Sequence, residues 1–333
     1  MLFRSGVEAI AWGVFAASVL QALILVPFLK GWFTYTPVVN IRDKRFRRLL
    51  VLAGPAVLSM GVSEINHLVD RSLASGLAAG SISAMNYAYK LITFLLGVLM
   101  VPLTTIMFSR MSRQAAADNK EGVLGSLRYS ILLISLVALP IVAIAMILSN
   151  DVVKMIYMRG SFGMESVLLT GSVLMYYLIG VPSFGLRDFL NRTFHSVQDT
   201  KTPFYVSVLV VVMNIILNII LRRFLGARGL ALATSVSSYI GSVTMFILLR
   251  RHMGRIGLKK ILPDMAKIAV SAAVAAVVCA LMNRVLPQSH TTITTFLRLA
   301  AAAGVSFIAY AAACIVLRVE ALRVVWSRVS GRK

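Results

Sequence analysis

Residues 268–283 of this chain, between Lys267 and Arg284, contain no charged side chain, and runs of this kind recur along its whole length. A helix needs roughly 20 mainly apolar residues to cross the hydrocarbon of a bilayer. Nine segments meet that demand: 7–29, 49–74, 81–109, 124–149, 166–190, 204–222, 230–250, 265–286 and 294–318. They are continuous rather than alternating in dyads, which excludes a membrane β-barrel. With 59% hydrophobic and only 14% charged side chains, against the ~25% charged residues usual in soluble domains, the chain is neither a water-soluble globule nor disordered. The expected fold class is an all-α polytopic membrane protein with about nine transmembrane helices.

The formal charge of +22, from 34 basic and 12 acidic residues, would point to nucleic acid in a soluble chain. Here it reads as membrane topology and attraction to anionic membrane lipids, with no nucleic-acid partner. Alternate connections are strongly unequal. Lys30, Arg42, Lys44, Arg45, Arg47, Arg48, Arg110, Arg113, Lys120, Arg128, Arg192, Lys201, Arg250, Arg251, Arg255, Lys259, Lys260, Lys267, Arg318, Arg323, Arg328, Arg332 and Lys333 fall on one side. Arg4, Arg71, Lys154, Arg159, Arg222, Arg223, Arg228, Arg284 and Arg298 fall on the other. The richer side is cytoplasmic by the positive-inside rule, which puts the C-terminus inside and Met1 outside. A start outside, running straight into a helix with no cleavable signal, is the pattern of a chain shortened at its N-terminus. Cys279 and Cys314 lie in apolar runs and form no spaced metal motif or disulfide framework; they read as small buried hydrophobes.

Ionisable and polar groups at membrane depth are costly and therefore informative. In GVSEINHLVDRSLASG, at 100° per residue, Glu64, His67 and Arg71 share one helix face and Asp70 lies about 100° round from it. Arg71 and Glu64 fit equally a span end reaching the interface; Asp70 has too short a side chain to snorkel far and reads as buried. Asn214 and Asn218, four apart, present two amides from one face. Thr234 adds a hydroxyl from the next helix. An acid, two amide oxygens, a hydroxyl and a free carbonyl would suit a hard monovalent cation, and interhelical hydrogen bonding is the competing reading. Lys90 falls inside the third span, facing a cavity or an anionic group, or snorkelling from a shifted boundary. Arg187 and Asp188, adjacent after Pro182, point in different directions and fit a structural pair as well as a substrate contact. DVVKMIYMRGSFGMES, too short to span, reads as an interfacial or re-entrant turn.

Several strings together, INHLVDRSLASGLAAGSISAMNYAYKL, IYMRGSF, and LRDFLNRTFHSVQDTKTP followed by NIILNIILRRFLGARGLALATS, resemble the MurJ (MviN-type) lipid II flippases of the multidrug/oligosaccharidyl-lipid/polysaccharide exporter superfamily. The resemblance runs over almost the whole chain. It implies fourteen helices in two lobes, of which the nine here look like the last nine, with the rest of the first lobe missing. Residues 1–30 then correspond to the last helix of the first lobe, 31–48 to a basic cytoplasmic linker, 49–250 to a six-helix second lobe, and 251–333 to two C-terminal helices and a basic tail. The implied activity, in the bacterial inner membrane, is movement of undecaprenyl-pyrophosphate disaccharide-pentapeptide (lipid II) between leaflets by alternating access. Lys90 takes the place of the basic residue in the family's alanine-aspartate-arginine pattern, with Tyr89 in place of the aspartate; an ammonium cannot make arginine's bidentate fork to phosphate. Arg187 is the second expected substrate contact. Asp70, Asn214, Asn218, Thr234 and the carbonyl of Leu230 stand where the resemblance implies a sodium site for a coupling ion.

Two other readings stay open. A different polysaccharide-lipid flippase or a cation-coupled drug exporter would share the fold, but few membrane acids and a strong positive balance favour an anionic cargo. An enzyme acting on polyprenyl phosphates would need clustered acids or a nucleophile beside a base. The connections offer only scattered acids such as Asp43, Asp118, Glu121, Asp199 and Asp264, and His195 and His252 lack evident partners; no enzyme is expected.

Overall fold

The computed structural model describes residues 6–29, 43–117, 119–196, 199–254, 257, 261–286, 292–320 and 322. Arg4, Lys30, Arg42, Asp118, Arg255, Lys259, Lys260, Arg323, Arg328, Arg332 and Lys333 lie outside them. The described residues contain helices and turns and no strand. The helices are α1 (Gly6–Leu29), α2 (Lys44–Ser75), α3 (Ser81–Leu95), α4 (Val101–Ala116), α5 (Lys120–Ile147), α6 (Ser149–Tyr157), α7 (Met164–Leu178), α8 (Val181–Ser196), α9 (Lys201–Leu225), α10 (Ala227–Met253), α11 (Leu262–Val285) and α12 (Thr292–Val316). A π turn, Leu96–Met100, joins α3 to α4. The chain divides into two compact units, 1–50 and 51–333. The first holds α1, whose apolar stretch is Ala11–Ile24.

Each of the nine apolar segments is helical, but the count of spans differs from the expectation. Among the described residues six helices are long and apolar enough to cross a membrane, or seven if the bent pair α7 and α8 is one span. α2 begins at Lys44, so the end of the expected linker is already helical. DVVKMIYMRG starts as a short amphipathic helix, α6, whose Val153 is buried.

The fifth expected span, 166–190, is not one straight helix. It breaks by 46° between α7 and α8, where Pro182 lacks an N–H to donate and its ring crowds the preceding turn. The carbonyls freed by the break are met from α10. Ser235 donates to the Tyr176 carbonyl at 2.8 Å and Tyr239 to Ile179 at 3.0 Å, while Ser242 adds a bond to Ser183, inside the first turn of α8, at 3.0 Å. In hydrocarbon, where no water substitutes, such partners are what make a broken helix tolerable.

α9 and α10 form a tight hairpin. Gly226 turns the chain with φ +58, a conformation that disfavours a Cβ. Gly229 follows, where a Cβ would stand 2.4 Å from the Leu221 carbonyl oxygen. That close approach sets the two helices face to face and brings Asn214 against Thr234. Two apolar cores flank this hairpin. One gathers α5, α8, α11, α12 and the lower parts of α4 and α10, with Phe189 and Phe194 wholly buried. The other gathers α3, α7, α6 and the start of α10 around Val173 and Tyr177. α12 is tied to α5 by the Tyr310 hydroxyl donating to the Leu136 carbonyl at 2.8 Å.

Candidate cation site and adjoining cavity

The polar residues separated by up to 164 positions in sequence meet in one place. Asp70 on α2 is 5% exposed, and Asn214 and Asn218 on α9 have no exposure. Asn218 Nδ2 donates to Asp70 Oδ1 at 2.6 Å and to Asn214 Oδ1 at 2.7 Å. Thr234 on α10 donates to the Leu230 carbonyl at 3.1 Å. All five residues expected at a sodium site are therefore within one hydrogen-bonded cluster. Sequence reasoning missed three others. Asn66, one turn before Asp70, donates to Oδ2 at 3.5 Å. Ser237 flanks Asn214 at 3.5 Å, and the Tyr177 hydroxyl interacts with Thr234. The i,i+4 spacing of Asn66 to Asp70 was the available signal for the first; nothing in sequence brings Tyr177 to Thr234.

The cluster lacks a complete set of protein partners. With Asn214 Nδ2 turned to Thr234 Oγ1 (3.3 Å), Asn218 Oδ1 is left buried with no donor. The reverse orientation of the Asn214 amide pairs better: its nitrogen donates to Asp70 Oδ1 at 3.0 Å and Asn66 Oδ1 at 2.9 Å, and its oxygen accepts from the Thr234 backbone N–H at 3.1 Å. That reversal sets the Asn214 nitrogen 2.7 Å from Asn218 Nδ2, so the second amide must turn as well. Asn218 Oδ1 then faces Asp70 Oδ1 across the 2.6 Å now spanned by the hydrogen bond. Two buried oxygens at that separation share a proton, or must move apart around a cation. One carboxylate with neutral amide, hydroxyl and carbonyl oxygens carries a single formal charge, and this donor set fits a hard monovalent ion.

Beside the cluster lies a cavity of about 360 Å³, walled by α2, α3 and α7. Glu64, His67 and Arg71 line it from the helix face expected for them, with Asn86, Tyr89 and Thr93 opposite. Asp70 and Tyr177 belong to its wall and to the buried cluster at once. His67 Nε2 and the Tyr89 hydroxyl are 3.4 Å apart, and the Tyr89 and Tyr177 rings meet edge to face at 5.9 Å.

The two expected substrate contacts are placed elsewhere. Lys90 is exposed, its ammonium 5.9 Å from the centre of the Tyr87 ring, which meets the Tyr157 ring at a tilt of 51°. Arg187 is half-buried on α8, its Cδ lying 3.6 Å from where a Cβ on Gly241 of α10 would stand. Asp188 does point away from it: its Oδ2 accepts from Thr104 at 2.9 Å and from Arg192 at 3.0 Å. Of the scattered acids, Asp199 accepts from the N–H groups of Lys201 and Thr202 at the start of α9, and Asp264 pairs with Lys267 at 3.3 Å.

Long apolar helices, a span broken at membrane depth and a buried polar cluster opening on a cavity together define a polytopic membrane protein of transporter build. Comparison with known proteins narrows this. The family model "Lipid II flippase MurJ" matches residues 2–301, and the chain belongs to that family. A probable lipid II flippase MurJ of Vibrio cholerae is 32% identical over 238 residues, covering 71% of this chain and 45% of that protein. The corresponding protein of Thermotoga maritima is 33% identical, covering 68% and 46%. The chain thus spans about half the length of the curated relatives it matches. Among solved structures, a lipid II flippase MurJ in an inward closed conformation superimposes with a TM-score of 0.73 at 24% identity, over 95% of this chain and 63% of that one. An outward-facing multidrug resistance MATE family transporter gives 0.54 at 18% identity, over 83% of this chain and 66% of that one. These two likenesses concern the fold alone.

Proposed function

We propose that this chain takes part in moving lipid II, the undecaprenyl-pyrophosphate-linked peptidoglycan precursor, from the inner to the outer leaflet of the bacterial inner membrane. The observation that carries the reading is the family match over residues 2–301. Its task is transport by alternating access rather than catalysis of a reaction, and a first lobe completes the path. Lys90 and Arg187 supply the positive charge for the pyrophosphate. Asp70, Asn214, Asn218, Thr234 and the Leu230 carbonyl hold a sodium ion, whose charge, when bound, neutralises the buried carboxylate. Relieved of its net charge, the α2–α9 contact is then freer to change partners between states. Basic connections sit at the cytoplasmic face against anionic lipids, with the C-terminus inside.

The test is leaflet exchange of fluorescent lipid II in liposomes holding the purified chain, with and without the N-terminal half of a relative. Exchange with the added lobe supports the reading, and its absence in both settings sinks it. Lys90→Ala should reduce exchange roughly 10- to 100-fold, as expected for a charged hydrogen bond of ~1.5–3 kcal/mol; unchanged exchange would remove Lys90 from the path. Export of cationic drugs without lipid exchange would favour the drug-exporter alternative.

A further inference from the structure

A second hollow, of about 520 Å³, lies along the latter half of α4 and shares no residue with the buried cluster or its cavity. Among the described residues Ile106, Met107, Arg110, Arg113 and Gln114 line it. It stands at the end of the span that runs from Ser81 to Gln114, on the side that the positive-inside rule assigns to the cytoplasm. A basic span end ordinarily reports topology alone, its long side chains reaching into water. Here the polar groups are held by neighbours instead. Arg110 is half-buried, its guanidinium carbon 5.7 Å from the centre of the Tyr129 ring on α5. Arg113 donates from Nε to the Ser109 carbonyl of its own helix at 3.4 Å. The Gln114 amide oxygen accepts from Ser126 at 2.7 Å, which leaves its nitrogen to donate.

Neither arginine is ion-paired with a described residue; the ion pairs among those residues join Arg192 to Asp188, Lys267 to Asp264 and Arg298 to Asp151. Two uncompensated guanidiniums and an amide nitrogen around one hollow suit an anion of two charges with several oxygens to accept. The phosphodiester of a bulk phospholipid carries one charge, whereas a pyrophosphate that links a polyprenyl chain to a sugar carries two. One turn deeper in the span, Ile106 is 60% exposed and Met107 adds to the wall, an apolar lip against which a lipid chain can lie. We propose that this hollow is a capture site for the pyrophosphate of a polyprenyl-linked lipid in the inner leaflet, with Arg110 and Arg113 on the phosphates and Gln114 donating to a phosphate oxygen. The inference rests on the lipid II reading and adds to it a first station on the cytoplasmic side, twenty residues along the span from Lys90.

Cys279 and Cys314 are buried, so Ile106→Cys places a single reactive thiol at the lip, which N-ethylmaleimide labels in the purified full chain in detergent. Farnesyl pyrophosphate should slow that labelling at least fivefold at saturation, and inorganic pyrophosphate or phosphatidylglycerol should need at least tenfold higher concentration to match it. Arg110→Gln or Arg113→Gln, each added to Ile106→Cys, should raise the farnesyl pyrophosphate concentration for half-protection about tenfold, the loss of one charged hydrogen bond. Arg113→Lys should lose less than Arg113→Gln. Arg251→Gln removes a charge from the same side of the protein but outside the hollow, and should change nothing. No protection, protection untouched by both arginine substitutions, or an equal loss in Arg251→Gln would overturn the site. Equal protection by phosphatidylglycerol would assign the hollow to bulk phospholipid, equal protection by inorganic pyrophosphate to a soluble phosphate, and either would overturn the proposal. The lipid-exchange assay fails independently: exchange without protection keeps the flippase reading and loses the capture site, and protection without exchange does the reverse.

Discussion

Asp70 has a short side chain on an otherwise ordinary helix, yet it joins α2 to α9 and borders the cavity. Its surroundings impose a definite expectation. If a monovalent ion completes the oxygen set, NaCl should raise the melting temperature of the detergent-purified protein relative to choline chloride, by linkage of about 1.4 kcal/mol at ten times Kd. Asp70→Asn should erase that difference while leaving the protein folded, since Asn218 can still pair with an amide. Asn218→Asp should enlarge it, because a second buried carboxylate left without an ion costs several kcal/mol. A sodium response that persists in Asp70→Asn would place the ion elsewhere. Much of this cluster was legible in sequence: a carboxylate too short to snorkel, and two asparagines at i and i+4. Asn66 carried the same i,i+4 signal, whereas Ser237 and Tyr177 were not legible, because their contribution depends on how α7, α9 and α10 cross, and spacing within one helix carries no information on crossing. The bland alternative also contains truth, for the cluster does hydrogen-bond helices together.

At the scale of elements, two departures from a straight helix show what patterning cannot reveal. Hydropathy located the segment 166–190 well and missed its 46° break, although Pro182 marks the place. In hydrocarbon a proline break is tolerated where neighbours absorb the freed carbonyls, and here those neighbours are Ser235 and Tyr239, some sixty residues later. The α9–α10 hairpin depends in the same way on a missing side chain. Gly229→Ala would drive a Cβ into the Leu221 carbonyl at 2.4 Å, and a rigid backbone cannot give way. The expected loss is about 1–3 kcal/mol, in the range of overpacking, read as the midpoint of unfolding in denaturing detergent. Gly125→Ala in α5, where nothing lies within 4 Å of the new carbon, serves as the control and should be neutral or mildly stabilising, as alanine favours helix.

For the whole molecule, the charge asymmetry yields an orientation that chemistry can check. Cys279 and Cys314 are both buried, so introduced cysteines report against a quiet background. Ser161→Cys, beyond α6, should react with a membrane-impermeant maleimide in spheroplasts. Thr200→Cys, before α9, should react only after permeabilisation. The opposite pattern would invert the assigned topology. A last consequence belongs to the π turn between α3 and α4, where the Val101 N–H reaches back five residues to the Leu96 carbonyl. The buried stripe of α3 runs through Met85, Ala88 and Ile92, and an unbroken α-helix would continue it through positions 96, 99, 103 and 106. The buried residues are instead Met100, Thr104, Met107 and Met111. One surplus residue has shifted the phase of the helix by about a hundred degrees, like a tooth added to a gear. Ile92 and Thr104, about 120° apart on an unbroken α-helix, thereby share one buried face of a single span, where Thr104 donates to Asp188.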